Sequence, residues 1–285
     1  MNNTFDIKRF GNVFRKDIME NWKRYALLYI TMLGIMSIVF IWASYIHYDS
    51  YSEGYSNNIY FNKSLLIYAS FMFAGFGIIF ASTIMNPMNS KIKRLAYLIN
   101  PASNLEKFLS RWLIMTVAYI ILFFTALYIA DFLRVGICSA NFPSLDVDFL
   151  DIRKIIKTND NSKWSEYVFG SKYYLSLVLS FYFLFQSLFI LGSTFWEKST
   201  FIKTFAAIVV LIISFLLICR WTILLFYGDF DSFGNVMRSF ESINNNDISE
   251  EQAITFVSTV MSVFTLFSWI LSYFRFRESE IIKRL

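Results

Sequence analysis

Three ionisable residues lie inside otherwise apolar stretches, and any chemistry of this chain would have to begin with them: Asp131, Arg134 and Arg220. An ionised side chain in a membrane-length run is costly unless it is paired or wet, so each marks a site by default. Asp131 and Arg134 are i, i+3 neighbours and can pair along one helix. Arg220 can snorkel to a membrane surface, or it can reach Asp131 across helices and close one end of a pathway. All three fall toward the same end of their runs, which makes them a candidate outer gate.

Other chemistries lack their parts. The one histidine, His47, is too few for a His-based metal cluster and leaves no Ser/His/Asp or Cys/His set. Cys138 falls at the edge of one apolar run and Cys219 within another, a difference in depth that argues against a disulfide. No G-x-x-x-x-G-K-[ST] phosphate loop occurs. The expectation is therefore no catalytic residue, no metal and no cofactor in this chain, which is not an enzyme. Deep carboxylates of the kind that bind coupling ions are missing as well, so any energy must come from a partner.

The elements that position these groups follow from composition. Of 285 residues, 56% are hydrophobic and 16% charged, and the mean hydropathy is +0.48, outside the usage of soluble domains. Spanning a bilayer takes about 20 apolar residues in a helix. Six stretches reach that length, at 25–46, 64–85, 112–135, 173–196, 204–227 and 252–274. Backbone polar groups must be satisfied in lipid, and continuous apolar runs exclude the alternating pattern of a barrel. The expected fold is an all-α membrane protein of six transmembrane helices forming one domain. The first run is too long for a signal peptide and is expected to stay.

Basic residues set the orientation. Seventeen of the 26 Lys and Arg fall in the segments that are cytoplasmic if the N-terminus is inside, and seven fall in the loops opposite. The positive-inside rule then places both termini in the cytoplasm. The net charge of +5 is thus topological and implies no nucleic-acid partner. Before the first span, Phe10, Phe14, Ile18 and Trp22 recur every four residues among basic side chains, as expected of an N-terminal amphipathic helix over residues 1–24 lying in the membrane interface. Gly75 and Gly77, in the second span, either admit a neighbouring helix or loosen the chain. Asn62 carries a glycosylation sequon in an expected external loop. Two larger external loops are expected at 136–172, with a short helix across 149–156, and at 228–251, which is acidic and Asn-rich.

Between the second and third spans lies a basic insert, residues 87–111. Ile92, Leu95, Ala96 and Ile99 follow helical spacing, and after Asn100-Pro101 the spacing returns at Leu105, Phe108, Leu109 and Trp112. Ser103-Asn104-Leu105-Glu106 has the form of a capping box, so a second helix should start there. The result is an elbow of two short helices broken at Pro101. A basic amphipathic segment of this kind can simply rest on lipid headgroups.

The run Ser90-Lys91-Ile92-Lys93-Arg94, with Leu98-Ile99-Asn100-Pro101-Ala102-Ser103-Asn104-Leu105-Glu106-Lys107-Phe108-Leu109-Ser110-Arg111 after it, is similar to the LPAS..EKF segment of small ABC permeases of Bacteroidetes-like bacteria. The ending Tyr273-Phe274-Arg275-Phe276-Arg277-Glu278 resembles the basic ending of the same proteins. With six spans and an elbow after the second, the whole chain resembles the membrane subunit of an ABC-2-type (type V) exporter. That resemblance implies a bacterial cytoplasmic (inner) membrane location, a second permease subunit in a homo- or heterodimer, and two ABC ATP-binding subunits carrying ATP and Mg. It makes the elbow a coupling helix, a role that falls on Leu98, Asn100, Pro101, Ala102, Ser103, Leu105, Glu106, Lys107 and Phe108. The implied function is export of a lipid, hydrophobic peptide or drug-like substrate. The alternative is a non-transporting membrane immunity or resistance factor, or a sensor-associated scaffold. The 228–251 loop departs from the family in lacking an apolar re-entrant pair, and the 136–172 loop departs in size.

Overall fold

The computed structural model describes residues 5–50, 58–85, 101–143, 145, 147–156, 167–196, 198–227 and 250–282. Helices account for nearly all of them: α1 (Ile7–Ser50), α2 (Asn58–Ser82), α3 (Asn104–Leu113), a π-helical segment (Ile114–Ala118), α4 (Tyr119–Asn141), α5 (Lys172–Phe195), α6 (Thr200–Tyr227) and α7 (Glu250–Ile282). With α3, the π segment and α4 counted as one rod, six helices are long and apolar enough to cross a membrane. The chain is a multi-pass membrane protein by that criterion.

Hydroxyl residues within the rods do not break them, because they bond back to their own helix: Thr31 Oγ1 donates to the Leu27 carbonyl at 2.8 Å and Ser70 Oγ to Leu66 at 2.8 Å. The first helix differs from expectation. No separate interfacial helix precedes the span, since residues 7–50 form one rod of 44 residues. At about 1.5 Å per residue it is far longer than a hydrocarbon core, so one end must project from the membrane. The projecting part turns Val13 and Asp17 inward, packs against α3, and leaves Ile18 and Trp22 exposed.

Three associations build the bundle. The most extensive joins α5 to α7, followed by α1 against α4 and α2 against α5. α5 and α7 run parallel, because their cross-contacts advance together from Tyr174–Glu250 through Ser180–Ser262 and Phe183–Trp269 to Arg275 stacked on Phe195. Ser176, Ser180, Phe183 and Ser187 on α5, like Ser258, Ser262, Thr265, Trp269 and Ser272 on α7, recur at steps of four and three. That period keeps one narrow seam facing the partner, and small hydroxyl residues let the backbones approach. Met32, Met36 and Phe40 of α1, Leu65 and Leu66 of α2, and Tyr119, Phe123 and Ala126 of α4 fill the core. α6 contributes least, touching α5 and a little of α2 and leaving most of its apolar surface exposed.

The two glycines of α2 have different roles. A Cβ at Gly77 would run into the Tyr182 ring of α5, whereas Gly75 is exposed with open space around it. Close helix approach thus explains Gly77 alone. Asn62 is not in a loop but inside α2, buried at 7% exposure, because the helix begins six residues before the apolar run. The expected helix over 149–156 is a single 3₁₀ turn, Ile152–Ile155, whose N-cap Asp151 accepts from the Arg153 amide at 3.0 Å. The next residue, Ile156, bridges to Phe169 as extended chain, which ends the turn. The third span runs on to Asn141, so Gly136 and Cys138 belong to helix and not to loop. The 228–249 stretch and the first elbow helix, with Ile92, Leu95, Ala96 and Ile99, lie outside the described residues.

Candidate functional site

Ser103 and Glu106 form the capping box that starts α3. The Glu106 amide donates to Ser103 Oγ at 3.3 Å, and the Ser103 amide donates to Glu106 Oε2 at 3.0 Å. Glu106 then does more than cap. Arg9 of α1 donates from Nε and Nη2 to its two carboxylate oxygens, both at 2.7 Å, and the Asp6 amide adds a bond of 2.8 Å. This forked geometry is the strongest an arginine offers a carboxylate. Glu106 lies on the turn before the apolar run. Its hydrogen bond to Arg9 holds the carboxyl well below the usual carboxylate range, at about 2, against the opposing effect of burial.

One turn further along α3, a second long-range contact is fully enclosed. Arg111 Nη2 meets Asp17 Oδ1 of α1 at 3.2 Å, Ser110 Oγ donates to Asp17 Oδ2 at 2.8 Å, and Arg111 Nη1 donates to the Ile84 carbonyl at 3.0 Å. Asp17, Ser110 and Arg111 are all buried. Ile84 follows the end of α2, where carbonyls lack helical partners, and Arg111 supplies one. These side chains therefore tie α1, α3 and the end of α2 into one body.

The residues to which the resemblance assigns coupling divide on this geometry. Leu98 and Asn100 lie outside the described residues. Pro101 and Leu105 are exposed, Ala102 and Ser103 half-buried, and Glu106, Lys107 and Phe108 buried within the chain. Phe108 packs on Tyr273 and Phe276 of α7, at 5.7 and 6.0 Å between ring centres. Pro101 and Leu105 form the exposed surface of the elbow. Glu106, Lys107 and Phe108 lie beneath that surface.

At the opposite end of α4, Asp131 and Arg134 pair locally, Nε to Oδ1 at 2.7 Å. Both are buried, and both hold the connecting loop: the Leu150 amide donates to Asp131 Oδ2 at 2.8 Å, and Arg134 Nη2 donates to the Asp148 carbonyl at 2.6 Å. Arg220 does not join them. It is exposed on α6, and the ion pairs among the described residues leave it out. Nearby, the His47 ring stacks on Phe61 at 4.1 Å and 7°, at the edge of an open groove of about 780 Å³ between α1 and α2, which Trp42 and Tyr68 also line.

Several features escaped sequence reasoning. The Asp17–Arg111 contact had no signal beyond an acid and a base placed among apolar positions. The hydroxyl seam of α5 and α7 did have one, the four-three spacing of serines and threonines. No cluster of three or more potential metal ligands occurs among the described residues. Comparison of the chain with protein-family models, with curated proteins and with solved structures finds no match.

Proposed function

We propose that this chain is the permease subunit of an ATP-driven exporter, with both termini cytoplasmic and the projecting part of α1 lying beneath the inner leaflet. The supporting observation is the latched elbow. Arg9–Glu106 and Asp17–Arg111 join the projecting end of α1 to α3, and Leu105 remains exposed at 43% as the place where a partner can press. A force applied there reaches α1 and the end of α2 without bending α3, because buried, hydrogen-bonded side chains connect them. The energy comes from an ATP-binding subunit, in two copies against two copies of the permease, in the cytoplasmic membrane of a bacterium. Asp131, Arg134 and Arg220 then belong to the outer side, where the first two hold a loop closed over the bundle.

The experiment is co-expression with an ATP-binding-cassette subunit from the same genome, followed by co-purification and ATPase assay. Leu105→Asp is expected to reduce recovery of the ATPase at least fivefold while membrane insertion and yield stay unchanged. Recovery unaltered by Leu105→Asp, or no ATPase recovered with the unaltered chain, would overturn the reading. The second outcome would favour a non-transporting immunity factor or scaffold.

A further inference from the structure

Just past the latched elbow, three neighbouring side chains each bury a hydrogen-bonding atom that has no partner among the described residues. Gln186 of α5 is fully enclosed, at 0% exposure, and its Nε2 donates to the Met115 carbonyl at 3.3 Å. A carbonyl can only accept, so the atom at Met115 must be the amide nitrogen, and Oε1 is the one left facing elsewhere. Gln186 Oε1 has no hydrogen-bond partner among the described residues, and neither has the indole nitrogen of Trp112 or of Trp269.

The side chains that carry these atoms are neighbours. The Trp112 and Trp269 rings meet edge to face, 5.0 Å apart at 83°, and Trp269 lies 6.3 Å from Phe183. Phe183 precedes Gln186 by one turn on α5, and Trp112 precedes Met115 by one turn on the rod of α3. Met115 itself sits in the π segment, where the Tyr119 amide reaches back five residues to Ile114. Such a widened turn alters where the backbone carbonyls point and is frequent at functional sites. Leaving one buried polar group unsatisfied costs about 1–3 kcal/mol, so three together indicate that something polar is meant to enter.

We infer that Gln186, Trp112 and Trp269 form a binding site for an uncharged secondary amide, the backbone unit of a hydrophobic peptide. Two indole N–H groups donate to its carbonyl oxygen, and Gln186 Oε1 accepts from its N–H. The residues lining the site, with Met115 and Phe183, are uncharged and largely apolar, which suits a neutral amide flanked by apolar side chains and disfavours an ionised headgroup. A hydrocarbon chain would leave all three atoms unsatisfied. The inference narrows the substrate class of the exporter reading and rests on that reading for the fate of the bound peptide, though not for its binding.

The test uses the full chain in phosphatidylcholine nanodiscs, with N-acetyl-trileucine N-methylamide as probe and, beside it, the analogue in which an ester oxygen replaces the central N–H. Saturable binding of the amide is expected, weaker by about fivefold or more in Gln186→Leu, in Trp269→Phe and in the ester, as loss of one hydrogen bond predicts. Gln186→Leu should discriminate amide from ester less than the unaltered chain does, because the two changes remove the same bond. Trp112→Phe and Trp269→Phe keep the aromatic packing and carry the test should Gln186→Leu fail to fold. No saturable binding, equal affinity for amide and ester, or binding indifferent to all three substitutions would overturn the inference. Co-purification with the ATPase, scored on the unaltered chain, separates the outcomes: no saturable peptide binding with the ATPase recovered sinks this site alone, and saturable binding with no ATPase recovered sinks the exporter reading alone.

Discussion

At the elbow end Asp17 of α1 meets Arg111 of α3 across 94 positions of chain, while at the far end Asp131 meets Arg134 within one turn of α4. Both pairs are buried and both accept or donate further bonds. The difference is what each needs in order to exist. The far pair needs only the helix, and it uses its spare atoms to hold the 148–150 segment of the loop. The elbow pair needs two helices docked face to face, so it reports and enforces their docking. A buried ion pair is weak evidence for net stability and better evidence for a specified geometry. Here the long-range pair specifies how the elbow sits on α1.

Substitutions can break that contrast, and the largest effect is expected at Arg111. Arg111→Met leaves the Asp17 carboxylate with the Ser110 hydroxyl alone and removes a donor from Ile84, a loss of about 3–5 kcal/mol for breaking a buried pair. It should appear as a large drop in thermal midpoint in detergent together with loss of protection along 7–24. Arg134→Met should cost less, about 2–3 kcal/mol, because the pair lies within one helix and its loss undocks only the loop, and its signature should be proteolysis confined to that loop. Equal losses and equal spread of protection in the two variants would erase the distinction between the ends.

A smaller effect is expected at Glu106. Glu106→Gln keeps part of the cap but loses the forked pair with Arg9, which is one-third exposed, so the cost should be about 1 kcal/mol. The same residue gives a pH dependence with a definite sign. Its folded pKa, about 2, lies below its unfolded value of 4.5, so its stabilisation is complete above the unfolded value and is lost as pH falls toward 2. The gap in thermal midpoint between the unaltered chain and Glu106→Gln should therefore narrow from pH 5 to pH 3. A gap constant across that range would place the effect of Glu106 elsewhere than in its charge. Last, Ser180→Ala deletes a hydroxyl that bonds mainly to its own helix and should change stability by less than about 0.5 kcal/mol. Ser180→Leu should instead wedge α5 from α7 and cost about 1–3 kcal/mol, which would show that size and not hydrogen bonding is what the seam requires.

Local rules explain what was legible. The capping box at Ser103 forms as its spacing requires, and Asp131 and Arg134 pair as i, i+3 neighbours do. The helix expected over 149–156 failed for an equally physical reason: that segment's polar groups are taken up by Asp131, Arg134 and the Asp151 cap, which favour extended chain and a single 3₁₀ turn. The stripe Phe10, Phe14, Ile18 and Trp22 marks an apolar side of the N-terminal part of α1, and Ile18 and Trp22 are exposed. That spacing does not reveal that Val13 and Asp17, between its members, are buried where α1 packs on α3. Gln186 and the two indoles carry no charge and each residue alone is ordinary, so nothing in the sequence marks them out.

The sequence by itself determined the six membrane-length helices, the start of α3 and the Asp131–Arg134 pair, because apolar length, capping and one-turn neighbours depend on residues close in the chain. Only the tertiary structure decided that Asp17 finds Arg111, that Glu106 finds Arg9, and that Gln186, Trp112 and Trp269, each with a polar atom unpartnered among the described residues, lie near one another. Each of those depends on which faces of distant helices meet. In a bilayer that choice is left to packing and buried hydrogen bonds, since every apolar face is equally at home in lipid.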